Sequence, residues 1–229
     1  KKLFGKDLIT IFMGGAKLHE NHIKFFIKNN INICEGYGTT EASPMISVNH
    51  MVNPRDISSI GAILDNIDVQ IINGEICVSG PNVTEGYYKN EEKNKESFIY
   101  QNNKKYYKTG DSGEIKDNFL YYTGRMSNNF KLTNGKFIEA DNLEKKINIF
   151  MKNPYMIYGD NREYNILIVE NEENINLNEI NEKLPKYAQI KKILYLNKGS
   201  FSSFLTPKMS LKRNELTKYY MEDIDDLYK

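Results

Sequence analysis

A glycine-rich segment in the first third of the chain carries groups that can bind a nucleotide. It reads Gly36-Tyr37-Gly38-Thr39-Thr40-Glu41. Glycines let the backbone approach a ligand closely, a tyrosine ring can stack on a base, and backbone N–H groups with a threonine hydroxyl can hold phosphate. The carboxylate of Glu41 can hold Mg²⁺ through oxygen. An ordinary glycine-rich turn with a capping threonine has the same composition, so this segment alone does not identify a site.

Two further positions have side chains that suit a ribose or a phosphate. Asp111 ends the run Tyr107-Lys108-Thr109-Gly110-Asp111, and Arg125 follows the next short hairpin. A carboxylate can accept hydrogen bonds from both ribose hydroxyls, and a guanidinium can donate to them or to a phosphate. Taken alone, these residues fit a surface turn and a solvated arginine at least as well.

The second half of the chain has two more segments of interest. Residues 131–139 predict a hairpin with Asn134-Gly135 at its tip, and Glu144 follows it. Residues 205–213 form a basic segment ahead of the last helix; they read Leu205-Thr206-Pro207-Lys208-Met209-Ser210-Leu211-Lys212-Arg213.

Strands and helices of two kinds must position these groups. Residues 8–13 and 31–34 are short apolar runs, and residues 18–28 between them have helical spacing, which predicts a parallel βαβ unit. From Gly61, short β-runs separated by turn signals predict a small β-barrel or an antiparallel sheet. After residue 124 strands alternate with helices, which predicts a compact α+β module. A last amphipathic helix from about Glu215 carries one apolar face, formed by Leu216, Tyr220, Ile224 and Leu227.

The composition describes a globular chain without a strong charge. Of its 229 residues, 40% are hydrophobic and 27% are charged, and the net charge is +1. This balance argues against a nucleic-acid partner or a polybasic membrane surface. No apolar run is long enough to span a bilayer, and the sequence shows no signal peptide. We expect any membrane association to come from regions outside these residues.

The cysteines and histidines predict neither a disulfide nor a metal site. Cys34 and Cys77 are isolated, which fits a reducing compartment. His19 and His22 lie one helical turn apart without a third ligand in register, and His50 is alone. We expect an intracellular location, in the cytoplasm or on the cytosolic face of a membrane such as the endoplasmic reticulum.

Taken together and in this order, the segments resemble the acyl-CoA synthetases of the adenylate-forming superfamily, and the long-chain branch most closely. The resemblance extends over nearly the whole chain. Its matching stretches are residues 12–16 (FMGGA), 36–41 (GYGTTE), 74–88 (GEICVSGPNVTEGYY), 109–111 (TGD), 130–144 (the long-chain form of the segment after the hinge), 157–160 (IYGD) and 205–207 (LTP).

The resemblance implies a fold of mixed α/β and α+β class. The chain would be the C-terminal part of such an enzyme and incomplete by itself, so the upstream part of the same polypeptide would be its partner. The implied division is residues 1–124 as part of the large adenylation domain (1–60 an α/β piece, 61–124 a β-rich subdomain), 125–127 as the hinge, and 128–229 as the small, mobile α+β domain.

The resemblance also implies the ligands, which are ATP, Mg²⁺, CoA and a fatty acid. In the family a carboxylate attacks the α-phosphate of ATP to give acyl-AMP and pyrophosphate, and CoA then displaces AMP after the small domain rotates. The implied roles are Gly15 and Ala16 along the adenine and acyl region, Gly36, Tyr37 and Gly38 at the adenine, Thr40 at phosphate, Glu41 at Mg²⁺, Asp111 at the ribose with Arg125 nearby, Ser127 as the hinge residue, and Gly135 in the hairpin lining the pantetheine tunnel.

The sequence departs from the family pattern in two places. The Ser/Thr/Gly-rich phosphate loop of the family lies upstream and is absent from these residues. The catalytic lysine of the family, which stabilises charge at the α-phosphate, falls on Ser210. Either Lys212 or Lys208 takes over this role, and we place Lys212 first, or adenylation is impaired.

Three functions therefore compete. The first is a long-chain fatty acid–CoA ligase, and the second is a non-catalytic homologue that binds nucleotide or acyl-CoA, which Ser210 favours. The third is another activating enzyme of the superfamily, for a short acid or an amino acid. The long-chain spacing of residues 130–135 argues against the third.

Overall fold

The computed structural model describes residues 5, 7–15, 20–49, 58–170, 175–207 and 209–229. The chain forms two compact units, Lys1–Thr123 and Gly124–Lys229. The mixed α/β and α+β composition predicted from the sequence is confirmed, since strands dominate the first unit and alternate with helices in the second.

The first unit contains mostly strands. Its elements are β1 (Thr10–Gly14), α1 (Glu20–Lys28), β2 (Asn32–Gly38), a 3₁₀ turn (Thr40–Ala42), β3 (Met45–Asn49), β4 (Ala62–Ile63), β5 (Asp68–Ile72), β6 (Glu75–Ser79), α2 (Glu91–Ser97), β7 (Phe98–Gln101), β8 (Lys104–Lys116) and β9 (Phe119–Arg125).

In the described residues these nine strands form one sheet. Its order is β1-β2-β3-β4-β9-β8-β6-β5, and β7 pairs with β8. Strands β1 and β2 are parallel, as the βαβ pattern predicts, whereas the other strand pairs among the described residues of this sheet are antiparallel. The boundary expected at residue 61 does not interrupt the sheet, because β3 and β4 pair across it. Gly61 permits this close approach, since a Cβ there would lie 2.1 Å from the Val48 carbonyl carbon.

Helix α2 has no counterpart among the predicted elements. Its seven residues, EEKNKES, are all polar, so they carry no apolar periodicity that would reveal a helix. Its start is instead marked by Asn90, whose side chain accepts a hydrogen bond from the Lys93 backbone N–H at 3.0 Å.

The second unit alternates strands with helices. Its elements are a 3₁₀ turn (Met126–Asn128), β10 (Phe130–Lys131), β11 (Phe137–Ile138), α3 (Ala140–Ile147), a 3₁₀ turn (Asn148–Phe150), β12 (Tyr155–Tyr158), β13 (Asn165–Glu170), α4 (Leu177–Glu182), a 3₁₀ turn (Lys186–Ala188), β14 (Ile190–Leu196), a 3₁₀ turn (Ser202–Phe204), α5 (Arg213–Tyr219) and α6 (Met221–Asp226).

The central strand β13 separates two hydrophobic clusters in this unit. All six of its residues are buried, and β12 and β14 pair with it on either side. Because side chains alternate along a strand, Leu167 and Val169 join one cluster while Ile166 and Ile168 join the other. Burial on both faces explains why residues 166–169 form an uninterrupted apolar run.

The expected last helix is instead two short helices, so that prediction was wrong in detail. The helices α5 and α6 are separated at Tyr220, whose φ of −98° and ψ of 23° are not helical. The predicted apolar face nevertheless survives the break, since Leu216 and Ile224 are fully buried in one cluster. Within the described residues, every helix is too short or too polar to span a bilayer.

Candidate functional site

The structure brings together two of the predicted nucleotide-binding residues in the first unit. Tyr37, in β2, donates its hydroxyl hydrogen to Oδ2 of Asp111, in β8, at 2.8 Å. The two residues are 74 positions apart in the sequence. Asp111 is buried, with 4% of its surface exposed. The carboxylate expected at a ribose therefore lies beside the ring expected at an adenine.

Glycines lie at the end of β2 and beside it, where neighbouring backbone segments pack closely together. Gly36 pairs with Gly14 of the parallel neighbour β1. A Cβ at Gly38 would lie 1.6 Å from the Pro44 carbonyl oxygen, so only glycine fits there. Gly15 follows β1 with a φ of +89° and is exposed. Gly36 and Gly38 therefore allow close packing of the chain on itself, whereas the backbone at Gly15 has open space beside it that a ligand could approach.

Glu41 lies in the 3₁₀ turn directly after β2, among tyrosine hydroxyls. Tyr87 donates its hydroxyl hydrogen to Oε1 of Glu41 at 2.7 Å, and Thr84 donates its backbone N–H to the Glu41 carbonyl oxygen at 2.8 Å. Partial burial raises the pKa of the Glu41 carboxyl, but hydrogen bonds from Tyr87, its own backbone, Tyr107 and Thr39 outweigh it and lower the pKa overall. Glu41 is therefore ionised at neutral pH, as a cation ligand must be.

No group of three His, Cys, Asp or Glu side chains suited to a metal ion occurs in the part of the chain that the structure describes. A lone carboxylate is still compatible with Mg²⁺, which is commonly held by one or two carboxylates together with substrate phosphates and water. Thr40, the neighbour of Glu41, begins the same 3₁₀ turn.

The remaining predicted positions lie in the second unit. Arg125 is exposed at the end of β9, and its backbone N–H donates to Oδ2 of Asp141 at 2.8 Å. Gly135 has a φ of +80° in the turn between β10 and β11, which confirms the predicted hairpin. The predicted hinge residue Ser127 lies in the 3₁₀ turn Met126–Asn128.

The lysine-bearing segment forms a tight hairpin at residues 205–211, and a buried carboxylate holds the loop before it. Glu170, at the end of β13, accepts the backbone N–H of Gly199 at 2.6 Å and that of Phe201 at 2.8 Å. Further along, Leu205 and Leu211 form an antiparallel bridge. Thr206 donates its backbone N–H to the Ser210 carbonyl oxygen at 2.8 Å, which closes the hairpin.

Within this hairpin, Ser210 and Lys212 are exposed and Leu211 between them packs on the buried cluster. Alternation along the extended arm thus places both polar residues on the solvent side. The Lys212 ammonium lies 3.2 Å from the Glu215 carboxylate. Lys208, the alternative lysine, lies outside the described residues, as do Ala16, His19 and His50.

Arg213, the residue after Lys212, forms a two-pronged ion pair with Glu144. Its Nη1 donates to both oxygens of Glu144, in α3, at 2.8 and 3.0 Å, and its Nη2 donates to the Ile157 carbonyl oxygen at 2.6 Å. The Glu144 carboxylate also accepts the Ile157 backbone N–H at 2.7 Å. Burial raises the pKa of Glu144 while Arg213 opposes that rise. This pair fixes the end of the lysine hairpin to α3 and β12.

Sequence reasoning assigned no role to several residues that organise the site, namely Tyr87, Tyr107, Asp141, Glu170 and Arg213. Some of them stand within matched stretches, such as Tyr87 in residues 74–88. Their hydrogen bonds connect residues far apart in the chain, so spacing could not reveal them.

One family and many relatives match this chain. The family described as AMP-binding enzyme matches residues 1–88. Fatty acyl-CoA synthetase B of Dictyostelium discoideum is 25% identical over 283 aligned positions, which cover 100% of this chain and 41% of that protein. Long chain acyl-CoA synthetase 3 of Arabidopsis thaliana is 26% identical, and the alignment covers 100% of this chain and 42% of that protein. The chain thus spans well under half the length of these relatives.

Solved structures share this fold. The O-succinylbenzoate Coenzyme A synthetase of Bacillus subtilis, in complex with ATP and magnesium ion, matches with a TM-score of 0.71 and 23% identity over 91% of this chain and 46% of that chain. The ATP-bound RpMatB-BxBclM chimera B3 matches with a TM-score of 0.74 and 21% identity over 99% of this chain and 49% of that chain. At these identities the likeness establishes the fold.

The Arg213–Glu144 pair predicts a large loss of stability when one partner is removed. Replacing Arg213 with Met leaves a buried carboxylate without its counter-ion, which costs about 3–5 kcal/mol. Lys212→Met is the matched control, because the exposed Lys212–Glu215 pair is worth at most about 1 kcal/mol. Urea unfolding of the chain measures both. Equal stabilities for the two variants would contradict the assignment of Arg213 as the anchor of the hairpin.

Proposed function

We propose that this chain, a member of the adenylate-forming superfamily, forms part of an AMP-forming ligase that joins a long-chain fatty acid to CoA. The observation that carries the proposal is the hydrogen bond between Tyr37 and Asp111. This bond joins two segments that match the family, residues 36–41 and 109–111, and its two residues are 74 positions apart in the chain but lie in one sheet.

The described residues fit a nucleotide and a magnesium ion. Gly15, after β1, leaves open space against the backbone, and Asp111 offers a buried carboxylate to the ribose hydroxyls. Glu41, ionised at neutral pH, is suited to hold Mg²⁺. Bound there, the ion would neutralise phosphate charge during attack by the fatty acid carboxylate.

The long-chain specificity is supported by the relatives and by one spacing. Relatives whose alignments cover 96–100% of this chain include a fatty acyl-CoA synthetase and three long chain acyl-CoA synthetases. Residues 130–144 follow the long-chain pattern, and the structure makes them a hairpin followed by α3. The D-alanine–D-alanyl carrier protein ligase of Lactococcus lactis, 36% identical, matches only 51% of this chain.

The two half-reactions make different demands on these residues. In the first, the fatty acid carboxylate attacks the α-phosphorus of ATP, acyl-AMP forms and pyrophosphate leaves. Catalysis here consists mostly of positioning and of neutralising charge. In the second, the CoA thiol attacks the acyl carbon, loses its proton and displaces AMP. We assign the first step to the Tyr37–Asp111 and Glu41 groups together with a lysine of the hairpin, and the second to the turn around Gly135.

A second candidate function is a nucleotide- or acyl-CoA-binding homologue without adenylating activity. One observation favours it: Ser210 stands where the family has its catalytic lysine, and the Lys212 ammonium is paired with Glu215. A serine hydroxyl cannot neutralise the charge that develops at the α-phosphate.

Pyrophosphate release by the natural polypeptide that contains these residues separates the functions. With ATP, Mg²⁺ and CoA, we expect kcat/KM to be higher for palmitate than for acetate, benzoate or D-alanine. Release with none of the acids would support the non-catalytic homologue. A preference for a short acid or for D-alanine would contradict the long-chain assignment.

The hairpin geometry predicts the result of restoring the family lysine. Ser210 and Lys212 share the exposed side of the hairpin arm, so Ser210→Lys adds an ammonium there without disturbing Leu211. If the native chain lacks the charge at this position, adenylation rises by about 10²–10³-fold, while thioester formation from preformed acyl-AMP stays constant.

Lys212→Ala and Lys208→Ala complete this experiment. If Lys212 already supplies the charge, as we infer, its removal abolishes adenylation and Ser210→Lys has little effect on the native chain. Adenylation that is insensitive to all three substitutions would show that residues 205–213 are misaligned with the family segment.

A further inference from the structure

The carboxylate of Asp141 holds the turn that begins the second unit. Asp141 lies in the first turn of α3. Its Oδ2 accepts the backbone N–H of Arg125 at 2.8 Å, and its two oxygens accept the Asn128 amide N–H group at 2.9 and 3.0 Å. One side chain therefore binds both ends of the short segment 125–128.

The backbone at this position is packed tightly against the same side chain. A Cβ added at Gly124 would lie 2.7 Å from the Cβ of Asp141 and 2.9 Å from its Oδ2. Glycine at residue 124 thus allows the chain to pass directly over the carboxylate. Any residue with a side chain would displace either the turn or Asp141.

The charge of Asp141 is balanced from the other side by Arg213. The Arg213 Nη1 lies 3.8 Å from Oδ1 of Asp141, although its close partner is Glu144 at 2.8 Å. The exposed fractions of the Arg213 and Asp141 side chains are 11% and 23%. Arg213 is the first residue of α5 and directly follows Lys212, so it connects the turn at residues 125–128 to the start of that helix.

The hydrogen bonds of Asp141 lie on opposite sides of Ser127. Arg125 precedes Ser127, whereas Asn128 and Asp141 follow it in the chain. A change of backbone dihedral angles at Ser127 would carry Arg125 away from Asp141 and leave the Asn128 contact in place. Such a movement would therefore break the hydrogen bond from Arg125 to Asp141.

We propose that Asp141 is a positioning residue that latches Arg125 and must release it before the chain can pivot at Ser127. The placement of the pivot rests on the proposed function, whereas the latch itself rests on the contacts of Asp141. Removing the carboxylate would free the backbone of Arg125 without removing any group assigned to bind ATP, CoA or the fatty acid.

Hydrogen exchange at the Arg125 amide tests the latch in the natural polypeptide. A hydrogen bond to a charged acceptor slows exchange, so Asp141→Ala should speed exchange of this amide about tenfold or more. Asp141→Asn, which keeps an oxygen acceptor but not the charge, should give a smaller increase and serves if the alanine variant does not fold. The control is Asp223→Ala, which removes an exposed carboxylate of α6. Unchanged exchange at Arg125 in both Asp141 variants would overturn the latch.

The two half-reactions test whether the latch controls the pivot. Adenylation and thioester formation from preformed acyl-AMP should change by different factors in Asp141→Asn, because a shifted pivot favours one arrangement over the other. Equal losses in both would indicate a merely structural role and would overturn the positioning assignment. If the unmodified polypeptide releases no pyrophosphate, the proposed function fails, and the exchange rates still decide whether Asp141 latches Arg125.

Discussion

The hydrogen bond from the Tyr37 hydroxyl to the Asp111 carboxylate is the contact on which the account of the site depends. It joins the end of β2 to the middle of β8, and these strands are neighbours only through β3, β4 and β9. Each strand must pair in its observed register for the hydroxyl and the carboxylate to come within 2.8 Å. The first unit can therefore be understood as a sheet whose twist and register bring two short polar segments to one place. Glu41 follows in the turn directly after β2, with tyrosine hydroxyls around its carboxylate.

The second unit follows a different physical rule. Its central strand β13 is buried on both faces, so the unit is held together by two hydrophobic clusters rather than by polar contacts. On this apolar framework a few buried or half-buried carboxylates fix the segments to which we assign functional roles. Glu170 holds the loop that precedes the hairpin at residues 205–211, and Glu144 holds Arg213, the residue after Lys212. Asp141 holds the turn at residues 125–128. Because each of these acids accepts several hydrogen bonds, losing one would displace a whole segment.

Sequence reasoning reached the periodic elements and the short motifs, and it failed where structure depends on distant partners. The apolar run at residues 166–169 predicted a strand, and Leu216 and Ile224 predicted an apolar helix face. Burial imposes such patterns locally, so they can be recognised in the sequence. Helix α2 was not predicted because its sequence is wholly polar. The break between α5 and α6 at Tyr220 was not predicted because the apolar spacing continues through it. Short motifs predicted site roles for Tyr37, Glu41 and Asp111, and those roles stay predictions. Tyr87, Asp141 and Glu170 were given no role, since their partners lie 46, 16 and 29–31 residues away.

The affinity for ATP after substitution of Asp111 tests the central claim most directly. In the natural polypeptide, Asp111→Ala should weaken ATP binding by at least about tenfold, because hydrogen bonds to a charged acceptor are each worth roughly 1.5–3 kcal/mol. Asp65→Ala, which removes an exposed carboxylate from the same unit, should leave the affinity unchanged. Calorimetric titration with ATP measures both, and urea unfolding checks that each variant is folded. A folded Asp111→Ala variant that binds ATP as tightly as the native chain would contradict the account.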